Sequence, residues 1–453
     1  MIIAVAESFV NQISLTVQEK PICQTGLCLL HSKEKRSGLL LKTVGLIVEY
    51  NPFHNGHLHH FTAAKAAVGA DACVAVMSGN FLQRGEPAIV SKWARAEMAL
   101  SVGIDLVIEL PVPFACANAE IFAHGAVSIL DRLGVVDFLC FGSESGELEW
   151  MRLLAKTLAD EPAAFTRYLK AGLAEGLAYP VAYAAAAGQL MQDMGFGRIP
   201  IDQPNNILGL NYLLALERQS SPIQAATIKR QKAGYHQETI TDSRIASATA
   251  IRKLIFDAKG ALQELASFVP PSVLEILSRE FASGAGPVSW EHFRHPLFHR
   301  LLQLTPEELS RHHEIEEGVE YRLKQAVKRV ETVRELLSQA KTRRFTWNRL
   351  QRMLLSVLLG LGKDDIARFQ LKAGAPYARV LGFNETGQAL LHRAKQSGRL
   401  PIYTKVRDGI HPMLDLDIVA DSLYRLALPN PGKLPFTREY RQAPIRRVSA
   451  AAP

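Results

Sequence analysis

Residues 44–57 read Val44-Gly45-Leu46-Ile47-Val48-Glu49-Tyr50-Asn51-Pro52-Phe53-His54-Asn55-Gly56-His57. The first five are uncharged and mostly aliphatic, which is typical of a strand buried on both faces of a sheet. An amphipathic stretch at about residues 57–68 follows and predicts a helix. His54 and His57 therefore stand three residues apart, where a helix opens directly after a buried strand.

The same alternation continues along the chain. Further strands are predicted at residues 72–77, 105–110, 135–141 and 225–228, and helices at about residues 91–102 and 119–133. Apolar strands separated by helices of about a dozen residues are typical of a parallel sheet covered on both faces, so we expect a Rossmann-like α/β domain. Ligands bind such sheets beyond the carboxyl ends of the strands. Three segments lie at such ends, as the two histidines do, and we expect one shared site: Ser78-Gly79-Asn80, Gly142-Ser143-Glu144 and Lys229-Arg230.

The turn from His54 to His57 has the composition of a phosphate site. The first N–H groups of a helix are unpaired within the helix, and its positive dipole end attracts anions. Gly56 allows a nucleotide to approach the backbone closely. Imidazole donors aimed at phosphate oxygens stabilise the transition state of nucleotidyl transfer. An H-x-G-H match alone also fits two unrelated core or surface histidines, but the strand in front of it favours a catalytic role for His54 and His57.

His59 and His60 follow closely and raise the question of a metal site. His57 and His60 would share a helix face, but no acidic residue within the next turn completes a ligand set. Cys23 and Cys28 also lack a second pair at zinc-site spacing. We therefore predict that protein side chains hold no metal.

A second candidate phosphate contact lies at residues 242–252. Small hydroxyl residues there lead into a helix that carries a basic residue one turn later, so Ser247 and Arg252 are weaker candidates for binding the β- and γ-phosphates of ATP. The alternative is an ordinary capped surface helix. The position after the last predicted strand of the same domain favours the phosphate role.

Composition bounds the class of protein. The chain has 453 residues, of which 48% are hydrophobic, and this favours two or more domains. Five scattered cysteines favour reduced thiols and a cytoplasmic protein over a disulfide framework. The longest uncharged stretch, residues 176–192, is too short for a bilayer span. Because the N-terminus also lacks a basic leader, we expect neither a secretory signal nor a membrane partner.

Charge changes towards the C-terminus. Residues 321–453 hold 25 Lys and Arg against 10 Asp and Glu, whereas the rest of the chain holds 27 against 34. The net charge of the whole chain is +8. A basic part attached to a near-neutral body is expected when one part binds a small ligand and another meets a polyanion. A solvated helical surface with surplus Lys and Arg is the alternative.

Periodicity divides the chain into three expected parts. Beyond Pro270 long amphipathic stretches, such as residues 318–339 and 347–361, predict helices with few strand signals. We expect an N-terminal extension that is disordered or translated from an upstream start, an ATP-binding α/β domain and a mostly helical, basic C-terminal domain. Their expected bounds are residues 1–42, 43–265 and 266–453.

Longer strings resemble a known family. H-x-G-H after the first strand, with a serine-containing segment that ends at Arg252, resembles the nucleotidyltransferase superfamily, relatives of the class I aminoacyl-tRNA synthetase core. Residues 44–57 resemble more closely the tRNA(Met) cytidine acetate ligase family. The same is true of residues 77–87, 141–144, 204–209 and 228–230. The resemblance runs from about residue 43 to near the C-terminus.

The resemblance implies a two-step reaction. Acetate attacks the α-phosphate of ATP and gives acetyl-adenylate and pyrophosphate. The acetyl group then passes to N4 of the wobble cytidine, position 34, of elongator tRNA(Met). Mg²⁺ is expected to accompany the ATP phosphates.

The resemblance also implies where ATP binds. The family's ATP-binding segment maps onto Ile47, Val48, Glu49, Tyr50, Asn51, Pro52, Phe53, His54, Asn55, Gly56, His57, Leu58, His59 and His60. Its other nucleotide contacts map onto Gly142, Arg230 and one of two neighbouring asparagines. Spacing favours Asn205 over Asn206.

A tRNA substrate would account for the basic C-terminal region, because Lys and Arg contacts to phosphate supply much of the affinity for RNA. Arg343, Arg344, Arg349 and Arg352 are the candidate tRNA contacts. Phe345 and Trp347 lie among them and could stack on unpaired bases. Core packing is the alternative for these two rings.

Two other functions fit parts of the pattern. An adenylyltransferase acting on a small phosphorylated substrate would share the H-x-G-H motif, but it does not need a large basic helical domain. An RNA-binding protein with a regulatory nucleotide pocket would catalyse nothing. Acetate-dependent pyrophosphate exchange and its loss on mutation of His57 would separate an enzyme from the second alternative. A requirement for tRNA in net product formation would argue against the adenylyltransferase, which should need none.

Overall fold

The structure is a computed structural model that describes residues 41–230, 246–257, 262–431 and 435–448. The expected N-terminal extension, apart from residues 41 and 42, lies outside the described residues. So do residues 242–245, the first part of the second candidate phosphate segment.

Eight strands of the described residues form one sheet. They are β1 (Thr43–Val48), β2 (Ala72–Ser78), β3 (Leu106–Leu110), β4 (Phe138–Ser143), β5 (Gln224–Lys229), β6 (Ala378–Phe383), β7 (Ile402–Tyr403) and β8 (Ile445–Arg446). Their order is β5-β4-β1-β2-β3-β6-β7, and β8 also pairs with β6. The first five strands are mutually parallel. β6 runs antiparallel to β3, and both β7 and β8 run parallel to β6.

Helices connect and cover the strands. Up to residue 257 they are α1 (Asn55–Val68), α2 (Lys92–Ser101), α3 (Val112–Ala115), α4 (Ala119–Leu133), α5 (Glu149–Ala159), α6 (Ala163–Ala174), α7 (Tyr179–Asp193), α8 (Pro204–Arg218) and α9 (Ala248–Asp257). Beyond it they are α10 (Pro271–Ala282), α11 (Arg294–Gln303), α12 (Pro306–Ser310), α13 (Val319–Ala326), α14 (Val333–Ala340), α15 (Trp347–Leu359), α16 (Lys363–Phe369), α17 (Glu385–Ser397), α18 (Pro412–Leu426) and α19 (Arg438–Arg441).

The central strands are apolar because both of their faces are covered. All seven residues of β2 and all five of β3 are buried. Successive side chains of a strand point to opposite faces. Val74 and Val76 accordingly join the apolar cluster that includes α4 and α8, whereas Cys73 and Ala75 join the one that includes α1, α2 and α10. The expected α/β fold, followed by a mostly helical region, is confirmed.

The strand order reverses at β1, which lies between β4 and β2. The connections after β1 and β4 therefore leave the sheet in opposite directions, and a crevice opens between their carboxyl ends. Ligands of open α/β sheets bind at such a point. The sheet topology thus predicts a ligand site beside the residues that follow Val48 and Ser143.

Two expected elements have different bounds in the structure, and a strand appears within the helical region. The fourth strand begins at Phe138 and not at residue 135, since Val135 and Val136 pack in the core before pairing starts. The helix expected over residues 318–339 is two helices, α13 and α14, because Thr332 and Glu335 form a capping box that starts a new helix.

The third difference is β6, a strand that the sequence analysis did not predict within the helical region. It extends the parallel sheet by an antiparallel strand, as mixed sheets commonly do. From Leu41 onward the chain clusters as one compact unit, and the domain boundary near residue 265 stays a prediction.

Candidate functional site

A cavity of about 260 Å³ opens at the carboxyl ends of β1, β4 and β5. Its wall is formed by the turn after β1, the start of α1, the loop that follows β2, the end of β5 and the start of α9. Of the sequence-predicted residues it is lined by Ile47, Val48, Glu49, Tyr50, Asn51, His54, Gly56, His57, His59, His60, Gly142, Asn205, Arg230, Ser247 and Arg252. The sheet edge thus brings together every predicted nucleotide contact from outside the first segment.

His54 and His57 are fixed by the helix that they open. Nδ1 of His54 accepts a hydrogen bond from the Gly56 N–H at 3.0 Å, and Nδ1 of His57 accepts one from the His54 N–H at 3.3 Å. The two rings stack with centroids 3.7 Å apart. A neutral imidazole whose Nδ1 accepts a hydrogen bond carries its proton on Nε2. Each ring therefore retains an Nε2–H donor for a ligand in the cavity.

The site keeps these histidines neutral. Burial, with smaller contributions from Arg230 and Arg252, lowers the pKa of His54 to about 3. Burial, with His54 and Arg230 beside it, holds the pKa of His57 well below its ordinary value. Burial also lowers the pKa of His60 to about 4. At neutral pH the imidazoles therefore act as neutral hydrogen-bond donors.

The backbone donors at the start of α1 are already used. The Asn55 N–H bonds to the Phe268 carbonyl at 2.8 Å, and the His57 and Leu58 N–H groups bond to the His54 carbonyl. The Gly56 N–H is taken by the His54 ring. The expectation that unpaired N–H groups would bind phosphate here is therefore wrong, and the histidine rings are the donors that remain.

Cationic side chains surround the cavity. Arg84, Lys229, Arg230 and Arg252 line it, against two carboxylates, Glu49 and Glu86. Arg252 donates from Nη1 to the Asn51 carbonyl at 3.1 Å and lies 3.3 Å from Glu86 Oε2. Ser247 Oγ accepts a hydrogen bond from the Ala250 N–H at 3.0 Å, so it caps α9 as expected. The surplus of positive charge suits a polyphosphate ligand.

The two candidate asparagines have different surroundings. Asn206 is fully buried, and its side chain binds the Glu144 N–H at 2.9 Å and the Pro200 carbonyl at 2.8 Å. Asn205 lines the cavity, where its Nδ2 donates to Glu144 Oε1 at 2.6 Å. The geometry therefore favours Asn205 as the nucleotide contact and assigns Asn206 to the turn after β4.

Arg95 of α2 is an organising residue that the sequence analysis missed. It is fully buried and donates to the carbonyls of Glu49, Ser78, Gly79 and Val90. It thereby ties the end of β1 to the loop after β2. Ser78, Gly79 and Asn80 were expected at the shared site, but they do not line the cavity. They instead accept hydrogen bonds from Arg95 and from the Lys92 N–H, which hold this loop. A charged residue between two small apolar ones, Ala94-Arg95-Ala96, was the available signal.

The loop of residues 82–87 supplies further wall residues that were not predicted. Leu82, Gln83, Arg84 and Glu86 all line the cavity. The Gln83 N–H donates to Glu49 Oε1 at 2.7 Å, which joins the loop to the residue after β1. Because Gln83 and Glu49 lie far apart in the sequence, local motifs do not indicate this contact.

Four residues of the predicted ATP segment do not line the cavity: Pro52, Phe53, Asn55 and Leu58. Phe53 is fully buried and packs on Tyr50 with ring centroids 4.6 Å apart. The Asn55 Nδ2 donates to the Ser267 carbonyl at 2.9 Å. These side chains support the turn from behind.

The candidate tRNA contacts lie at the start of α15 and just before it. Arg344, Arg349 and Arg352 form ion pairs with Glu317, Glu316 and Glu314, at 3.3, 2.7 and 3.0 Å. Arg343 and Arg344 are exposed, whereas Arg349 and Arg352 are partly buried. Phe345 is buried under Arg349, so its ring packs in the core as the alternative reading had it.

α15 also contacts the wall of the cavity. The Gln351 Nε2 donates to the Arg84 carbonyl at 3.0 Å. A Cβ on Gly85 would lie 2.5 Å from the Arg352 backbone nitrogen. The candidate RNA-binding helix and the loop of residues 82–87 are therefore in direct contact.

The described residues contain neither a cluster of metal ligands nor a membrane-spanning helix. No group of three or more His, Cys, Asp or Glu side chains is placed to hold a metal ion. No helix within the described ranges has both the length and the apolar character needed to cross a bilayer.

Comparison with known proteins gives the family. The model of the family described as HIGH Nucleotidyl Transferase matches residues 41–438. A protein of Acetivibrio thermocellus named tRNA(Met) cytidine acetate ligase is 42% identical over 412 residues, which cover 89% of this chain and 99% of that protein. A Bacillus subtilis protein of the same name is 39% identical over 410 residues, covering 90% of this chain and 97% of that one.

Solved structures agree with this similarity. The crystal structure of Thermotoga maritima TmcAL bound with alpha-thio ATP superposes with a TM-score of 0.82, and the apo form superposes with 0.84. Each is 34% identical in sequence and covers 90% of this chain and 100% of its own. Because fold and sequence match over nearly the whole length of these relatives, the chain belongs to the tRNA(Met) cytidine acetate ligase family.

Proposed function

We propose that this protein uses ATP to convert acetate to acetyl-adenylate and transfers the acetyl group to N4 of the wobble cytidine, position 34, of elongator tRNA(Met). The observation that carries the proposal is the stacked pair His54 and His57. Both rings are neutral, both retain an Nε2–H donor, and both face a cavity at the switch point of the sheet. Relatives named tRNA(Met) cytidine acetate ligase support the choice of substrate.

In this proposal ATP binds with its α-phosphate at the histidine pair. Acetate oxygen attacks the α-phosphorus, and pyrophosphate leaves. The Nε2–H donors of His54 and His57 stabilise the charge that builds on the phosphate oxygens. Arg230 and Arg252 neutralise the departing phosphates, and Asn205 and Gly142 line the other side of the cavity.

Mg²⁺ would enter with the ATP phosphates, as it usually does in sites that bind nucleoside triphosphates. The residues present fit this arrangement, because among the described residues the cavity offers four cationic side chains for the phosphates and two carboxylates, Glu49 and Glu86. The ion would supply further neutralisation of phosphate charge. A cytoplasmic location, expected from the cysteines, stays a prediction.

The tRNA would approach over the start of α15. Arg343 and Arg344 are exposed there, and α15 contacts the loop that lines the cavity. Arg349 and Arg352 are partly buried and paired with glutamates, so their part in the proposal is to stiffen the start of α15, which directly follows Arg343 and Arg344.

The test is incubation with ATP, labelled acetate and tRNA(Met), followed by nucleoside analysis. We expect labelled acetylcytidine and acetate-dependent exchange of pyrophosphate into ATP. His57→Asn, which removes the Nε2–H donor, should lower the exchange by about 10²–10³-fold.

Pyrophosphate exchange without formation of acetylcytidine would contradict tRNA(Met) as the substrate. Net turnover with a small phosphorylated acceptor and no tRNA would favour an adenylyltransferase, and exchange unchanged in His57→Asn would favour a non-catalytic RNA-binding protein.

A further inference from the structure

Acetyl transfer to cytidine needs a proton acceptor. The N4 amine is conjugated with its ring and must lose a proton when it forms the amide. His54 and His57 are placed to donate, since their Nδ1 atoms accept backbone hydrogen bonds. The acceptor must therefore come from another group in the cavity.

The carboxylates are the remaining strong acceptors. Among the described residues that line the cavity, only Glu49 and Glu86 carry one. The Glu86 carboxylate is engaged by Arg252 at 3.3 Å. Glu49 Oε1 accepts a hydrogen bond from the backbone of Gln83 at 2.7 Å, which orients the carboxylate and leaves further lone pairs on it.

The position of Glu49 is fixed from two sides. Its side chain is held by the loop of residues 82–87, and its carbonyl accepts a hydrogen bond from the buried Arg95 at 2.6 Å. It directly follows Val48, the last residue of β1, and both line the cavity beside the histidines. This is the rigid placement that a proton-accepting group requires.

We propose that Glu49 is the general base of acetyl transfer and the group that recognises the N4 amine of cytidine. The inference rests on the proposed function. The cytidine N4 attacks the acetyl carbon of acetyl-adenylate, and a C–N bond forms. The bond from the acetyl carbon to the phosphate oxygen breaks, and AMP leaves with the electron pair. The proton of the amine passes to the Glu49 carboxylate.

The same geometry selects cytosine over uracil. A carboxylate accepts hydrogen bonds from the exocyclic amine of cytosine, whereas uracil presents an oxygen acceptor there. Two facing acceptors without a proton between them repel each other. Glu49 therefore reads the amine that the reaction acetylates.

The electrostatic surroundings suit this role. Burial raises the pKa of Glu49 above its ordinary value, which makes the carboxylate a stronger base. The Gln83 N–H and the Arg84 and Arg95 guanidinium groups oppose the rise, and Glu86 adds to it. Burial raises the pKa of the Cys116 thiol, and the charge of Glu49 adds to that rise.

Glu49→Gln tests the proposal, because glutamine keeps an acceptor for the Gln83 N–H but cannot take a proton. Three rates are measured: acetate-dependent pyrophosphate exchange, acetohydroxamate formation with hydroxylamine, and acetylcytidine formation on tRNA(Met). Hydroxylamine is a strong nucleophile that attacks acetyl-adenylate without a base. We expect the ratio of acetylcytidine formation to each of the other two rates to fall by about 10²–10⁴-fold.

Glu147→Gln is the matched control, since Glu147 is exposed and does not line the cavity. Its ratios should equal those of the unaltered chain. The unaltered chain should also show acetyl transfer that rises with pH as Glu49 loses its proton, and Glu49→Gln should lose this dependence.

Three results would overturn the role of Glu49. One is an equal fall of all three rates in Glu49→Gln. Another is an unchanged ratio and pH profile. The third is a transfer-specific loss in His59→Gln that Glu49→Gln does not show. Failure of the proposed function is recognised separately, because the unaltered chain would then lack exchange or acetylcytidine altogether.

Discussion

At the scale of single residues, the two ring nitrogens of His54 and of His57 have different roles. Nδ1 holds the first turn of α1, and Nε2 remains for the ligand. A helix start is usually capped by Ser, Thr, Asp or Asn. Histidine replaces them here because its second nitrogen lies on the far side of the ring. The motif is therefore a helix cap and, in the proposed function, also a phosphate contact.

Neutral buried histidines should make the fold sensitive to acid. The folded pKa of His60 is about 4, below its ordinary value near 6.5, because of burial. Between these values the unfolded chain binds a proton that the folded chain does not. The free energy of unfolding therefore falls as pH drops from about 6.5 to 4, by up to about 1.4 kcal/mol per pH unit.

Urea unfolding at pH 7, 6, 5 and 4 measures this dependence. His60→Gln should gain stability relative to the unaltered chain as the pH falls through that window. His299→Gln, at an exposed position, serves as the control and should track the unaltered chain. If the free energy of unfolding changes with pH in the same way in all three proteins, His60 is not the source of the acid sensitivity.

At the scale of elements, the loop of residues 82–87 depends on its contact with α15. Gly85 has a φ of +76°, and a Cβ there would lie 2.5 Å from the Arg352 backbone nitrogen. Gly176 has a φ of +82°, and a Cβ there would meet nothing within 4 Å. An alanine at either position would therefore adopt an unfavourable positive φ, and at Gly85 its Cβ would in addition clash with α15.

Replacing each glycine by alanine separates strain from packing. Gly85→Ala should lower the free energy of unfolding by about 1–3 kcal/mol more than Gly176→Ala, as overpacking of a close contact does. It should also weaken ATP binding, since Gln83, Arg84 and Glu86 line the cavity. Denaturant unfolding and ATP titration of both variants measure these effects. Equal losses in the two variants would mean that α15 does not constrain the loop.

The elements around the site were largely predictable, because local patterns specify them. The strand before residue 49, the helix that follows His54 and the glycine near the end of β4 all follow from short-range periodicity. The bounds of α4, Ala119–Leu133, match the expectation fully. The capping box of Thr332 and Glu335 was readable too, but a continuous amphipathic pattern obscured it.

The rest depended on contacts between distant segments. Nothing local to Gln83 indicates that its N–H binds Glu49, and nothing local to Gly85 indicates the backbone of α15 above it. β6 was missed for the same reason, since Ala378–Phe383 becomes a strand by pairing with β3. Pairings over such separations require the folded chain.

At the scale of the whole molecule, one buried ionic cluster joins the C-terminal segment to the sheet. Lys92 Nζ lies 2.9 Å from Glu109 of β3 and 2.9 Å from Glu439 of α19. Trp93 Nε1 also donates to Glu439, at 2.8 Å. Arg379 of β6 is fully buried beside the same carboxylate. Glu439 thus balances two cations that water does not reach.

Glu439→Gln should therefore destabilise the whole protein. Removing one partner of a buried ion pair costs about 3–5 kcal/mol. Here the buried Arg379 would lose the Glu439 carboxylate, and Lys92 would keep Glu109. Glu175→Gln, at an exposed position, should change the free energy of unfolding by less than about 0.5 kcal/mol. Urea unfolding of both variants gives the comparison. A loss below 1 kcal/mol in Glu439→Gln would show that water or rearrangement relieves the cluster.

RNA binding is also a property of the whole molecule, because the proposed contacts and the cavity lie on different elements. Arg343→Ala with Arg344→Ala should weaken tRNA binding and reduce the slope of log affinity against log salt by about 0.7–0.9 for each lost phosphate contact. Acetate-dependent pyrophosphate exchange involves no tRNA and should stay unchanged. Arg167→Ala on α6, also exposed, is the control. An unaltered salt slope in the double variant would place the tRNA elsewhere.

The antiparallel strand β6 has a consequence for synthesis. Its partner β3 ends at residue 110, whereas β6 ends at residue 383. A ribosome at work therefore releases β3 long before the strand that covers its edge exists, and Lys92 emerges before Glu439. The nascent chain must carry an open sheet edge, the kind of surface on which chains aggregate, for most of its elongation. The yield of folded protein in a cell should thus depend on translation speed and on the supply of chaperones, although neither changes the folded enzyme itself.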